Sequence, residues 1–309
     1  MLDIVIMGEM IVEIMRARED SPLNIAGMFR GPYPSGAPAV CIDAAARLGC
    51  STAIIGGVGQ DDFGRCLLER LNRDGVDTSR VIQSEESPTG CAFVTCFSDG
   101  ARDTIFHMGN SPAARAKAPR EGSIEDANYM HIMGCSLMVH KAFTREILKT
   151  MRMFRRRGTR ISFDPNFRRE LFPDKMVDAV IREVMENTSV FMPEIEDLLM
   201  VTGEGSVEAA IQRCFAYPDM KIICLKKGDQ GFRIYTRDRS VEIGEYKGVQ
   251  ADVAGTVACF DGAFLAGLCQ GGSVEEAARM GAAASALTAA AYGPMEGEIS
   301  TETIRSMIE

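Results

Sequence analysis

The stretch Thr52-Ala53-Ile54-Ile55-Gly56-Gly57-Val58-Gly59-Gln60-Asp61-Asp62-Phe63-Gly64 decides the fold class. Residues 52–55 are apolar or β-branched and read as a strand, while 64–74 carry the apolar spacing of a helix. The glycines between them permit a tight turn that exposes backbone to a ligand, and the start of the following helix favours an anion. Working outward, further strands are predicted at 3–7, 129–133, 160–164, 190–192 and 221–226, each closed by Gly, Pro or Asp or running into a basic pair. Helices are predicted at 38–48, 141–157, 174–186, 259–270 and 274–292. Strands alternating with helices imply an α/β chain: a central, mostly parallel sheet flanked by helices, with the ligand crevice at the carboxyl ends of the strands.

Two segments break the alternation. Residues 91–97 and 103–107 flank Ser98-Asp99-Gly100, a strong hairpin turn, and predict a small antiparallel β lid. Residues 221–235, around Lys227-Gly228-Asp229-Gln230-Gly231, predict a second hairpin that adds antiparallel strands at one sheet edge. No linker, low-complexity tract or fixed-period repeat divides the chain, so 1–309 is expected to be one domain, with lid strands mainly from about 9–16 and 90–108.

Composition excludes whole classes of function. Lys plus Arg number 34 against 43 Asp plus Glu, a net charge of −9, which argues against nucleic acid as a partner. The basic cluster Arg155-Arg156-Arg157 reads as a helix carboxyl end favoured by the dipole. No apolar run approaches the ~18 residues of a spanning helix, so no membrane is expected. Met1-Leu2-Asp3-Ile4-Val5-Ile6 reads as a first strand rather than a signal peptide, and a cytoplasmic location follows as the expectation. The ten cysteines form no Cys-x-x-Cys pair and read as free, mostly buried thiols. His131 and His140 lie in an apolar segment and read as packing rather than a triad or metal cluster.

The loops carry the remaining chemistry. Pro34-Ser35-Gly36-Ala37-Pro38-Ala39 opens a helix with Pro in its first turn, and Asp164-Pro165-Asn166-Phe167-Arg168 ends a buried strand with polar groups at the crevice edge. The glycine loop at 56–64 lies in the second strand–helix unit and lacks dinucleotide-fold spacing, and no Gly-x-x-x-x-Gly-Lys-Ser/Thr is present.

In this order, the motifs resemble those of the ribokinase-like sugar kinases, the PfkB family, from residue 3 to about 297. The resemblance rests on Gly8-Glu9 and Glu13, Ser35-Gly36-Ala37-Pro38-Ala39, Gly57 to Gly64, Thr89-Gly90-Cys91-Ala92, Asp164 to Arg168, Lys226 to Gly231, and Gly293-Pro294-Met295-Glu296-Gly297. It is closest to fructokinase-like and 2-keto-3-deoxygluconate kinase-like members. It implies the ribokinase-like fold, a homodimer, and ATP- and Mg2+-dependent phosphorylation of a hydroxyl on a sugar or sugar acid. By position, Glu13, Gly36, Ala37, Arg102, His107 and Arg168 would face the sugar, with Arg102 and Arg168 able to grip a carboxylate in bidentate fashion. Lys226, Gly228, Gly231 and Ala282 would lie on the nucleotide side, and Asp197 would help organise the metal.

One motif departs. Where the family carries Asp-Thr-Thr-Gly-Ala-Gly-Asp, this chain has Asp252-Val253-Ala254-Gly255-Thr256-Val257-Ala258. The resemblance puts Ala258 at the aspartate that accepts the sugar hydroxyl proton and Val257 at a glycine of the anion hole. A methyl group accepts no proton, and general-base assistance is worth about 10²- to 10⁴-fold. Asp261, three residues on, is expected about one turn (~5 Å) too far down the helix to substitute, and Asp252 to serve a structural or cation-binding role. Three readings stay open: a sugar kinase with weak or lost phosphotransfer, a non-catalytic sugar-binding or regulatory protein, and an active kinase with an unusual base.

Overall fold

The computed structural model describes residues 1–309 apart from Gly100, 168–176, Lys247 and Val249, and it leaves the side chains of 177 and 178 undescribed. The first half runs β1 (Leu2–Met7), β2 (Ile11–Arg16), β3 (Phe29–Ser35), α1 (Ala37–Arg47), β4 (Thr52–Gly59), α2 (Asp62–Arg73), β5 (Val76–Ser84), β6 (Gly90–Cys96), β7 (Arg102–His107), β8 (Ala127–Met133), α3 (Gly134–Val139) and α4 (Lys141–Arg156). The second runs β9 (Arg160–Asp164), α5 (Val177–Asn187), β10 (Thr188–Phe191), α6 (Ile195–Thr202), α7 (Val207–Phe215), β11 (Ile222–Lys226), β12 (Phe232–Tyr235), β13 (Ser240–Ile243), α8 (Thr256–Cys269), α9 (Val274–Ala289) and α10 (Thr301–Ile308).

Among the described residues the large sheet has nine strands in the order β13-β12-β11-β10-β9-β8-β1-β4-β5. Pairings from β11 through β5 are parallel, and β12 is antiparallel to both its neighbours, as the hairpin around 227–231 predicts. Alternation along β1 shows why the sheet is covered twice. Ile4 and Ile6 pack into the layer of α1, α8 and α9, whereas Val5 and Met7 pack into that of α4, α6 and α7. A strand buried on both faces must be apolar throughout, which is how 4–7 reads.

The lid is a second sheet in the order β3-β2-β6-β7. Its outer pairs, β2 with β3 and β6 with β7, are antiparallel, while the central pair β2 with β6 is parallel. Strand β3 has no counterpart in the sequence reading, because Gly31, Pro32 and Pro34 mask it. An edge strand tolerates proline, since the missing N–H faces no partner. Strands β5 and β13 likewise escape the apolar criterion: both are polar edge strands. The expected helix start at 174–176 lies outside the described residues.

Local chemistry fixes the helix starts near the crevice. Asp61 caps α2 by accepting from the Gly64 amide at 2.8 Å, and it also accepts from the Thr89 amide at 2.8 Å and hydroxyl at 2.6 Å. The loop at 56–64 and the Thr89-Gly90 turn are therefore bound to one another. Helix α8 starts at Thr256, earlier than the apolar pattern from 259 suggests, behind Gly255 at φ 81°. A Cβ on Gly255 would stand 2.6 Å from the Pro294 carbonyl oxygen, so this turn requires glycine twice, for its φ and for its space.

Candidate active site

Two cavities open side by side at the carboxyl ends of the parallel strands. The first, about 200 Å3, lies between the large sheet and the lid. Its walls are Glu13 and Arg102 from the lid, Ser35 and Ala37 at the entry to α1, Asp164, Asn166 and Phe167 after β9, Glu194 and Asp197 at α6, and Gly255, Val257 and Ala258 at the start of α8. The second, about 530 Å3, runs along β11, β12, α8 and α9 and is bounded by Lys226, Gly228, Phe232, Tyr246, Val257 and Ala282. Glu194, Val253 and Val257 border both, so the first turn of α8 stands between them.

The lid wall is held by charge. Arg102 donates to Glu13 Oε2 at 2.6 Å, and Ser35 donates its hydroxyl to Glu13 Oε1 at 2.9 Å. Burial disfavours the Arg102 charge, but Glu13 and then Asp252 outweigh it and hold the guanidinium pKa above its ordinary value. Arg102 thus stands at the cavity wall already paired with a carboxylate of this chain.

Beneath the cavity lies a buried ionic cluster. Lys226, at the end of β11, places Nζ 3.1 Å from Asp164 Oδ2 and 2.8 Å from Asp261 Oδ1. Burial alone would lower the lysine pKa, yet Asp164 and Asp261 raise it. Burial and the proximity of Asp164 push the Asp261 carboxyl well up against the pull of Lys226. Asp261 does not line the cavity, in keeping with its expected position one turn too deep, and it is an ion-pair partner of Lys226. His131 sits in the same layer, neutral, with its pKa lowered to about 3 by burial, and its Nδ1 is 2.9 Å from the Ser162 hydroxyl.

Asp197 is the perturbed carboxyl that faces the cavity. Burial first, then Asp164 and Glu194, raise its pKa to about 7, and among the described residues the Phe167 amide, 3.4 Å from Oδ2, offers a hydrogen bond. A crowded, poorly satisfied carboxylate of this kind fits a cation, so Asp197 with Glu194 is where Mg2+ would be held. Among the described residues no three His, Cys, Asp or Glu side chains cluster tightly enough to hold a metal by themselves.

Other expected site residues fall variously. Ala37 lines the first cavity; Gly36 is the residue before α1 and does not. His107 does not line it either: it is exposed on β7, edge-on to the Phe93 ring at 5.9 Å. Gly228 and Ala282 line the second cavity, whereas Gly231 packs under the β13 backbone. Lys226 borders that cavity with its ammonium committed to two aspartates. Arg168 lies outside the described residues. Asp252 is structural: it accepts from the Ala254 amide at 3.0 Å and the Gly293 amide at 3.1 Å.

The sequence reading missed the pairing of Lys226 with Asp164 and Asp261. Its signal was present: charged residues at the inner ends of two buried strands and inside an apolar helix require partners.

The matches to known proteins agree with this geometry. The pfkB family carbohydrate kinase profile covers residues 1–301. Fructokinase-1 of Oryza sativa subsp. japonica is 31% identical over 301 residues, spanning 94% of this chain and 92% of the relative. Fructokinase-1 of Zea mays is 31% identical over 266 residues, 85% of this chain and 81% of its own. An E. coli protein provisionally named Ribokinase II, solved with ATP and Mg2+, superposes with a TM-score of 0.93 at 32% identity, covering 100% of this chain and 99% of its own. With a ribokinase-like sheet, a lid and a double crevice at the strand ends, the chain belongs to the pfkB family of carbohydrate kinases.

Proposed function

We propose that this protein binds a sugar in the first cavity and that its phosphotransfer from ATP is weak or lost. The observation that carries the proposal is the first turn of α8, which offers the cavity only the Val257 side chain and the Ala258 methyl where the family resemblance expects a proton acceptor. The opposite wall keeps Glu13, Ser35 and Arg102 in a connected set. Sugar recognition is therefore retained while the base is removed. The amides at the start of α8 have no intrahelical acceptors, as at any helix start, and the first turn of that helix borders both cavities. Val257 narrows the space before them.

ATP would lie along the second cavity, with Asp197 holding Mg2+, which when bound neutralises the phosphate oxygens. A second reading, a sugar-binding regulator that does not use ATP, is favoured by the charge of that cavity. Glu194, Asp229 and Glu245 line it, while Lys226, the one described cation at its wall, is already paired twice. A homodimer through the lid fits the exposed Ile105 on edge strand β7.

Calorimetry with fructose and other neutral sugars, with ATP·Mg2+, and with both, tests the proposal. Sugar binding with turnover at least 10²-fold below a base-containing relative is expected. Turnover equal to that relative overturns it, and sugar binding without nucleotide binding selects the regulator.

A further inference from the structure

Away from the double crevice, a cavity of about 330 Å3 lies between the outer face of α4 and the segment that joins β7 to β8. Its apolar lining is Ala118, Pro119 and the buried Met153. Lys149, Arg152 and Arg156 line it from α4, three and four residues apart and so on one helix face, and Arg120 lines it from the facing segment. Arg152 is paired with Glu183 at 2.6 and 2.7 Å. Among the described residues, Arg120, Lys149 and Arg156 have no ion-pair partner, and Glu121 is the one carboxylate in the lining.

The walls are held in place before any ligand arrives. Glu146 of α4 accepts from the Ala118 amide at 2.9 Å and lies 3.8 Å from Lys117 Nζ. At the other end Arg157 donates to the Ile124 carbonyl at 3.0 Å and pairs with Asp126. The neighbouring acids Glu146, Glu183 and Asp126 are thus spent on the scaffold rather than on the three free cations. On a chain of net charge −9 this patch is no overflow from a basic surface. Like charges stacked on one helix face repel, and an anion seated among them turns the repulsion into attraction. The volume is that of a small-molecule site, the apolar lining offers a surface for a non-polar body, and guanidinium and ammonium donors can share the oxygens of a phosphate.

We propose that this cavity is a separate ligand site for a soluble small molecule carrying a phosphate group. The phosphate sits among Arg120, Lys149 and Arg156, and the body of the molecule lies against Pro119 and Met153. The site shares no lining residue with either crevice cavity, so it stands or falls independently of what they bind.

The test is calorimetric titration of the full chain at low salt with phenyl phosphate, inorganic phosphate and neutral benzyl alcohol, beside flotation with vesicles containing phosphatidic acid. Phenyl phosphate is expected to show a binding component that weakens with added salt and is tighter than that of inorganic phosphate, with no binding of benzyl alcohol. Lys149→Glu combined with Arg156→Glu is expected to weaken that component about tenfold or more, with Tm unchanged because both side chains are exposed. The variant also separates this site from the crevice, which neither substitution touches. Phenyl phosphate that fails to bind, or that binds K149E/R156E as it binds the wild type, overturns the inference. Benzyl alcohol binding of equal strength overturns it too, because the cavity then recognises no anion. Vesicle flotation without binding of the soluble phosphate assigns the patch to a lipid surface and also overturns it.

Discussion

Lys226 Nζ lies 2.8 Å from Asp261 Oδ1, and both side chains are buried. The contact joins the end of a central strand to the second turn of α8, and Asp164 extends it to β9 at 3.1 Å. The helix that carries Val257 and Ala258 is thereby pinned to the two strands whose ends floor the first cavity. Burial first, and then the Asp164 carboxylate beside it, push the Asp261 carboxyl well up against the pull of Lys226.

Removing the ammonium from this cluster should be worse than removing the whole pair. Lys226→Met leaves Asp261 and Asp164 facing each other without a cation, and such truncations cost about 3–5 kcal/mol. Adding Asp261→Asn to the same chain should restore a large part of that loss. Urea unfolding of the wild type, K226M, D261N and the double variant measures it, and a double variant no more stable than K226M sinks the account.

Much of the large sheet is legible because its strands are buried on both faces and so write themselves as apolar runs. Strand 160–164 is predicted to the residue and found there. Edge strands escape that logic: β3 carries two prolines and β5 is mostly exposed. In the site, Glu13, Ala37, Arg102, Val257 and Ala258 come together as the motif order expects. The loop at 57–64 is a motif of another kind, since its Asp61 is used up on Gly64 and Thr89 and none of its residues lines the first cavity. A motif reports that residues are needed together, and only packing tells whether a ligand or the chain itself needs them.

Helix α8 approaches α1 so closely that a Cβ on Gly262 would stand 2.1 Å from the Cys41 carbonyl oxygen. Backbone cannot yield as a flexible side chain does, so Gly262→Ala should force the helices apart at a cost of about 1–3 kcal/mol. Sugar affinity should fall with stability, because the displaced helix carries Ala258. Thermal unfolding and calorimetry on the same sample check both, and an unshifted Tm contradicts the close packing.

The Asp197 carboxyl, raised to about 7 from an ordinary 3.8, makes stability depend on pH. Between those values the folded state holds a proton that the unfolded state has released, so stability falls as pH rises through the window, and the loss is complete above about 7. Burial first, then the Asp164 carboxylate at the end of β9 and Glu194 just before α6, oppose ionisation, while the Phe167 amide and Lys226 assist it. Asp197→Asn cannot ionise, so it should gain stability relative to wild type as pH rises from about 4 to about 8, by a few kcal/mol at most. Parallel Tm profiles across that range would refute the shift.

Restoring the proton acceptor is the sharpest test of the proposed loss of phosphotransfer. The first turn of α8 places residue 258 at the first cavity and residue 257 between the two cavities, so Ala258→Asp puts a carboxylate at the cavity wall and Val257→Gly clears the path to the helix amides. The new carboxylate enters a cavity that already holds four, and the charge it adds is balanced only when it takes the hydroxyl proton. That crowding raises its pKa toward neutrality, which suits a general base. With a sugar that calorimetry shows to bind, V257G/A258D should raise ATP-dependent product formation by about 10²- to 10⁴-fold, while A258D alone gives less because Val257 still crowds the phosphoryl group. The rate should climb with pH as the carboxyl at 258 ionises. If the double variant binds both sugar and ATP yet turns over no faster than wild type, residue 258 does not stand where the proton must go.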